Sequence, residues 1–169
     1  MNKSKSFLML LAGGVLAFCA LGAGAQDPSR SLVIQEHTPE VWLNAGMLSY
    51  HFDRAKHYRE FNYGVGAEAF ITPNHGVIAG TYKNSESSQS KYVGYEFRPW
   101  HWQPAELNVH AGFALALLDG YPTMNDKGVF LAGFPFVAVE GRKVGANFIL
   151  IPNVKHGGAL AMQLKLKVW

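Results

Sequence analysis

His51 and the tripeptide Lys83-Asn84-Ser85 supply the residue types that acyl transfer requires. An imidazole removes a hydroxyl proton, a third polar group fixes the imidazole, and nearby amides hold the oxyanion that forms. Ser85 also reads as the start of a polar loop, Ser85 to Ser90, and His51 as a rim residue, one of seven histidines. The other six, His37, His57, His75, His101, His110 and His156, show no H-x-x-x-H or other spacing that would favour zinc. A G-x-S-x-G nucleophile elbow and a phosphate loop are absent. No cofactor and no metal is implied.

Such residues act only if the chain brings them together, and the hydrophobic pattern says how. Arg59, Phe61, Tyr63, Val65, Ala67, Ala69 and Ile71 alternate with Tyr58, Glu60, Asn62, Gly64, Gly66, Glu68 and Phe70, one face apolar and the other polar or glycine. Lys91 to Arg98 and Leu160 to Val168 repeat the period of two. Eight strands are expected, near 41–52, 58–71, 76–84, 91–99, 107–118, 128–139, 143–152 and 158–169. Most reach the roughly 9 to 11 residues that a tilted strand needs to cross a bilayer, against about 5 to 6 in soluble proteins. Short connections at Thr72 to His75 and Glu140 to Arg142 alternate with longer or more polar ones at Ser85 to Ser90 and Asp119 to Lys127. Short periplasmic turns and long outer loops give that asymmetry. The expected fold is all-β, an eight-stranded antiparallel transmembrane β-barrel, with a short amphipathic helix possible ahead of it.

Composition agrees. The chain has 169 residues, 49% hydrophobic and 16% charged, with 18 Gly and 8 Pro spread along it. Disordered and collagen-like classes are excluded. Lys3 and Lys5, the apolar run Phe7 to Leu21 and Ala23-Gly24-Ala25 read as an export signal cleaved after Ala25. The expected organisation is a signal over 1–25, a leading segment over 26–40 and a barrel over 41–169 in a Gram-negative outer membrane. Removing 1–25 leaves 13 basic and 12 acidic side chains, too balanced to capture nucleic acid. The single cysteine, Cys19, leaves with the signal, so no disulfide or thiolate metal site is expected.

Tracing eight strands up and down from a periplasmic start places His51 and Lys83-Asn84-Ser85 on one outer rim. Arg54, Lys56, Lys83 and Lys91 there are candidates to pair with phosphates of a lipid headgroup, although solvated loop charge explains them as simply. Glu60, Glu68, Glu96 and Arg98 fall on the lumen face, where ion pairs would fill a narrow barrel rather than conduct. Trp100 and Trp102 at a periplasmic turn, and Tyr50, Phe52, Tyr58 and Tyr63 near the other rim, fit interfacial girdles.

These residues carry a resemblance. His75-Gly76-Val77-Ile78-Ala79-Gly80-Thr81-Tyr82-Lys83-Asn84-Ser85, then Tyr92-Val93-Gly94-Tyr95-Glu96, is similar to the lipid A palmitoyltransferase (PagP) family, whose third strand reads H-G-L-Y-A-M-A-F-K-D-S ahead of G-Y-G-W. The element from His57, H-Y-R-E-F-N-Y-G-V-G, resembles the family's R-Y-N-E-R-P-W-G-G-G, and Leu150-Ile151-Pro152 its Y-I-P-G. The resemblance spans roughly Ser49 to Trp169. It implies a monomeric outer-membrane enzyme that moves a palmitoyl chain from a glycerophospholipid to lipid A, with the apolar interior as a slot for one acyl chain. Of the family's His, Asp and Ser, the Ser matches Ser85, the Asp position holds Asn84, and the His position falls near Met47. His51, four residues on and on the same strand face, takes that role by geometry.

Three other readings share parts of this pattern: a lipid A deacylase, a non-enzymatic lipid-binding or structural barrel, and a secreted lipocalin-like binder.

Overall fold

The computed structural model describes residues 38–152 and 158–169. The expected export signal, the leading segment up to His37, and Lys155 and His156 lie outside the described residues. Eight strands follow in order: β1 (Glu40–His51), β2 (Phe61–Phe70), β3 (His75–Lys83), β4 (Gln89–Trp102), β5 (Asn108–Leu118), β6 (Phe130–Glu140), β7 (Val144–Ile151) and β8 (Ala159–Lys167). Each pairs antiparallel with its neighbours, and β8 closes on β1, so the sheet has no free edge. The expected eight-stranded antiparallel barrel is the observed fold.

The period of two decides which way each side chain points. On β2, Asn62, Glu68 and Phe70 are buried in the lumen while Phe61, Tyr63 and Val65 stand outside. On β4, Ser90, Glu96 and Arg98 point in, and Val93, Tyr95 and Phe97 point out. Leu43, Val77, Leu115, Leu131, Phe148 and Leu164 extend the outward apolar face over the remaining strands. Monomeric soluble proteins rarely expose so large a continuous apolar surface.

Two strands break the period, and both breaks matter. In β1 the register shifts between Ala45 and Met47. Trp42 and Asn44 point inward before this bulge, and Ser49 and His51 after it. Without the extra residue, His51 would face outward. Gly46 sits at the break because a Cβ there would run into the Asn62 carbonyl and the Gly64 amide. In β4 a shift between Phe97 and Trp100 absorbs Pro99, after which Trp100, His101 and Trp102 pair with Ala111, His110 and Val109. Trp100 and Trp102 are therefore strand residues, not turn residues, although both stay exposed. β2 starts later than expected, leaving Tyr58, Arg59 and Glu60 in the connection.

The interior differs along its length. Near the Glu40 rim, the Lys165 ammonium lies 2.8 Å from carboxylates of both Glu68 and Glu140, all but excluded from solvent. Arg98 reaches Glu140 at 2.9 Å and Glu40 at 3.2 Å, donates to the Pro73 carbonyl, and lies over the Phe70 ring. Lys167 pairs with Glu40 at 2.6 Å. The predicted lumen network is present through Glu68 and Arg98, with Glu96 buried beside it. Glu60 is not part of it, because it precedes β2 and pairs with Arg54 at the opposite rim. The lumen is thus no apolar slot over its full length. Its apolar part is a cluster of Ala114, Phe136 and Ala138 with Ile78, Phe134 and Ile149.

Candidate active site

At the His51 rim, a chain of side chains ties the strand ends together. The Ser49 hydroxyl donates to Asn62 Oδ1 at 2.7 Å, and Asn62 Nδ2 donates to the Lys83 carbonyl at 3.0 Å. The Arg59 amide also donates to the Ser85 carbonyl at 3.0 Å. These bonds span β1, β2 and β3 where the β2–β3 ladder has stopped at Gly64 and Tyr82. They hold the end of β3, with Ser85, beside the ends of β1 and β2.

His51 and Ser85 border the same space. A small cavity of about 20 Å³ is lined by both, together with Met47, Ser49, Asn62, Tyr82, Tyr121, Ile151 and Ala161. His51 also lines a second cleft of about 370 Å³ with Asp53, Arg54, His57, Tyr58 and Glu60. The imidazole therefore stands between a polar cleft and an inner cavity that holds a serine. Its ring packs on Tyr58, with centroids 4.9 Å apart, and its Nδ1 is buried with no hydrogen-bond partner.

Asn84 does not orient that imidazole. It is fully buried, and its Nδ2 donates to Ser90 Oγ and to the Gly120 carbonyl, each at 2.9 Å. Its Oδ1 accepts from the amides of Glu86 at 3.0 Å and Ser88 at 2.9 Å. A side-chain amide has two donors and two acceptor positions, and all are spent on the loop that carries Ser85, the start of β4 and the β5–β6 loop. Asn84 thus holds the loop that carries Ser85, and the group packed on the imidazole is Tyr58.

The four candidate headgroup cations do not converge. Arg54 is engaged by Glu60 and lies over the Tyr50 ring at 4.9 Å. Lys56 is exposed in the short 3-10 turn Arg54–Lys56. Lys83 lies on the face of β3 opposite Tyr82 and Asn84, and Lys91 is exposed on the outward face of β4. The registers Thr81 to Lys91 and Lys83 to Gln89 place this pair side by side on the outer wall, not in an outer loop.

Among the described residues the β6–β7 ladder is the shortest in the barrel. β6 and β7 pair only from Phe136–Ile149 down to Glu140–Gly145. Above that point β6 continues from Pro135 to Phe130 without a ladder to β7, although β5–β6 and β7–β8 remain paired to their ends. Pro135 has no amide proton to give, which fits the place where the ladder stops. Ile151, at the end of β7, lines the cavity of His51 and Ser85. Phe134 and Ile149 of the apolar cluster flank the point of separation.

Sequence reasoning gave Tyr58, which packs on His51, only a girdle position, and did not single out Tyr121, which lines the cavity with Tyr82. Their signal is weak, because both sit in connections where no period assigns a side. No family model matches the chain, and no curated protein matches it.

Proposed function

We propose that this protein is an outer-membrane acyltransferase that moves an acyl chain, palmitate as the resemblance implies, from a glycerophospholipid to lipid A. The observation that carries this reading is that His51 and Ser85 line one cavity, inside a closed barrel whose outer wall is apolar. A band of this kind suits a bilayer, and eight strands with a filled lumen suit an enzyme better than a channel.

In this reading His51 takes the proton of the attacking hydroxyl and returns it to the oxygen of the departing lysophospholipid. Ser85 supplies the hydroxyl at the reacting carbonyl, and Asn84 holds the turn that presents it. In this reading the donor's chain enters where the β6–β7 ladder ends, against Phe134 and Ile149. Lys83 and Lys91 on the outer wall would pair with headgroup phosphates and steer the acceptor. A lipid A deacylase is the second reading, favoured by the polar cleft at His51, which gives water a route to the same carbonyl.

Mass spectrometry of lipid A from cells with and without the gene separates the readings. Transfer predicts a gain of one acyl mass that disappears with Ser85→Ala and with His51→Ala. Loss of an acyl mass identifies the deacylase, and unchanged lipid A with a folded barrel in the outer membrane contradicts both.

A further inference from the structure

The loop between β5 and β6 is stitched to the loop that carries Ser85. Gly120 gives its carbonyl to Asn84 Nδ2, Asp119 gives its carbonyl to Ser90 Oγ at 2.6 Å, and Thr123 binds the Glu86 carboxylate through both its amide and its hydroxyl. Gly120 has a φ of +79° and packs against the Gln89 carbonyl, a turn that other residues adopt only with strain. The next residue is Tyr121, whose ring stands edge-on to Phe130 and whose hydroxyl lies 2.9 Å from that of Tyr82. Tyr121 lines the same cavity as His51 and Ser85. Five tethering contacts to one tyrosine-bearing turn exceed what closing a loop requires.

We propose that the Tyr121 hydroxyl is the oxyanion donor of the acyl transfer, a catalytic residue that completes a set with His51 and Ser85. The inference rests on the reading of this site as an acyl-transfer centre. A hydroxyl attacks the ester carbonyl of the donor phospholipid and its proton passes to His51. The carbonyl oxygen becomes an oxyanion, which accepts a hydrogen bond from Tyr121. The oxyanion then collapses, the ester C–O bond breaks, and His51 gives the proton to the leaving lysophospholipid oxygen. The same oxyanion arises whether the attacking hydroxyl belongs to Ser85 or to the acceptor. With the buried Tyr82 as donor in the tyrosine pair, the proton of Tyr121 is left for the cavity. Burial pushes the Tyr121 phenol above its ordinary range while Tyr82 and Ser85 beside it pull the other way, so the hydroxyl keeps its proton at neutral pH.

The test is the steady-state transfer rate of the purified, detergent-solubilised barrel with a dipalmitoyl phospholipid and lipid A, comparing wild type with Tyr121→Phe. A fall in kcat of roughly 100-fold with KM unchanged is expected, the size of effect seen when one oxyanion donor is removed. The alkaline limb of the wild-type rate should vanish in the variant. An unchanged kcat, or a change confined to KM, overturns the assignment. Should Tyr121→Phe fail to fold, a fluorotyrosine at the same position keeps ring and hydroxyl and lowers the phenol pKa. The alkaline limb must then move down, and an unmoved limb overturns the assignment. Wild-type protein that folds but transfers nothing removes the acyl-transfer reading itself, and the proposal with it.

Discussion

The two ends of one lumen are built from opposite materials. At the Glu40 rim, Lys165, Arg98 and Lys167 interlock with Glu40, Glu68 and Glu140, and little there is free to move or react. At the His51 rim, an exposed Arg54–Glu60 pair flanks neutral groups joined by hydrogen bonds, with a cavity and a cleft between them. Both are polar interiors in a narrow barrel, so polarity alone says nothing of function. What separates them is charge pairing and room, since each end holds an imidazole nitrogen without a partner, His110 Nδ1 at one and His51 Nδ1 at the other. The charged end spends its cations on buried carboxylates, whereas the His51 end opens on a cavity that a serine also lines.

The sharpest way to break this contrast is at the charged end. Lys165→Met leaves Glu68 and Glu140 without the cation that both contact, and uncompensated buried charge costs about 3 to 5 kcal/mol. Unfolding by urea in detergent should shift to much lower concentration, with any surviving barrel retaining its activity per folded molecule. At the other end the signs reverse. Ser85→Ala and His51→Ala should cut transfer by about 100-fold to 10,000-fold and leave the unfolding midpoint nearly unchanged, as gel migration before and after boiling would show.

A third variant sharpens the contrast within the reactive end. Asn84→Asp restores the carboxylate found at that position in the resembled family, yet here it would turn two donors into acceptors facing Ser90 Oγ and the Gly120 carbonyl. Activity should fall about 10-fold, roughly the effect of losing one to two net hydrogen bonds. A gain in activity would mean that the side chain serves His51 after all. The smallest effect belongs to Arg54→Ala. Its pair with Glu60 is solvent-exposed, and such pairs contribute about 0 to 1 kcal/mol, so unfolding should be unchanged.

The sequence made the wall easy to read and the reactive end hard. The faces of β2, of β4 as far as Arg98 and of β8 follow from alternation alone, because each residue there has a solvent of its own, apolar outside and polar within. That rule fails where the chain inserts a residue. Nothing before the structure shows that Gly46 shifts β1 by one, yet this shift turns Met47, Ser49 and His51 inward together. Ser85 was legible from the end of its strand. The duty of Asn84 was not, because its four hydrogen bonds go to residues on two loops whose approach has no local signature. Glu60 was misplaced for a related reason: alternation was carried past the point where the strand begins.

The most direct test of the central claim is transfer by the purified barrel itself. Wild type, Ser85→Ala and His51→Ala, each shown to be folded, are incubated with a phospholipid carrying an isotope-labelled palmitoyl chain and with lipid A, and the lipids are weighed by mass spectrometry. The account predicts labelled, heavier lipid A and an equal amount of lysophospholipid from wild type alone. Label that stays on the phospholipid, or that moves equally well in the folded variants, would contradict it.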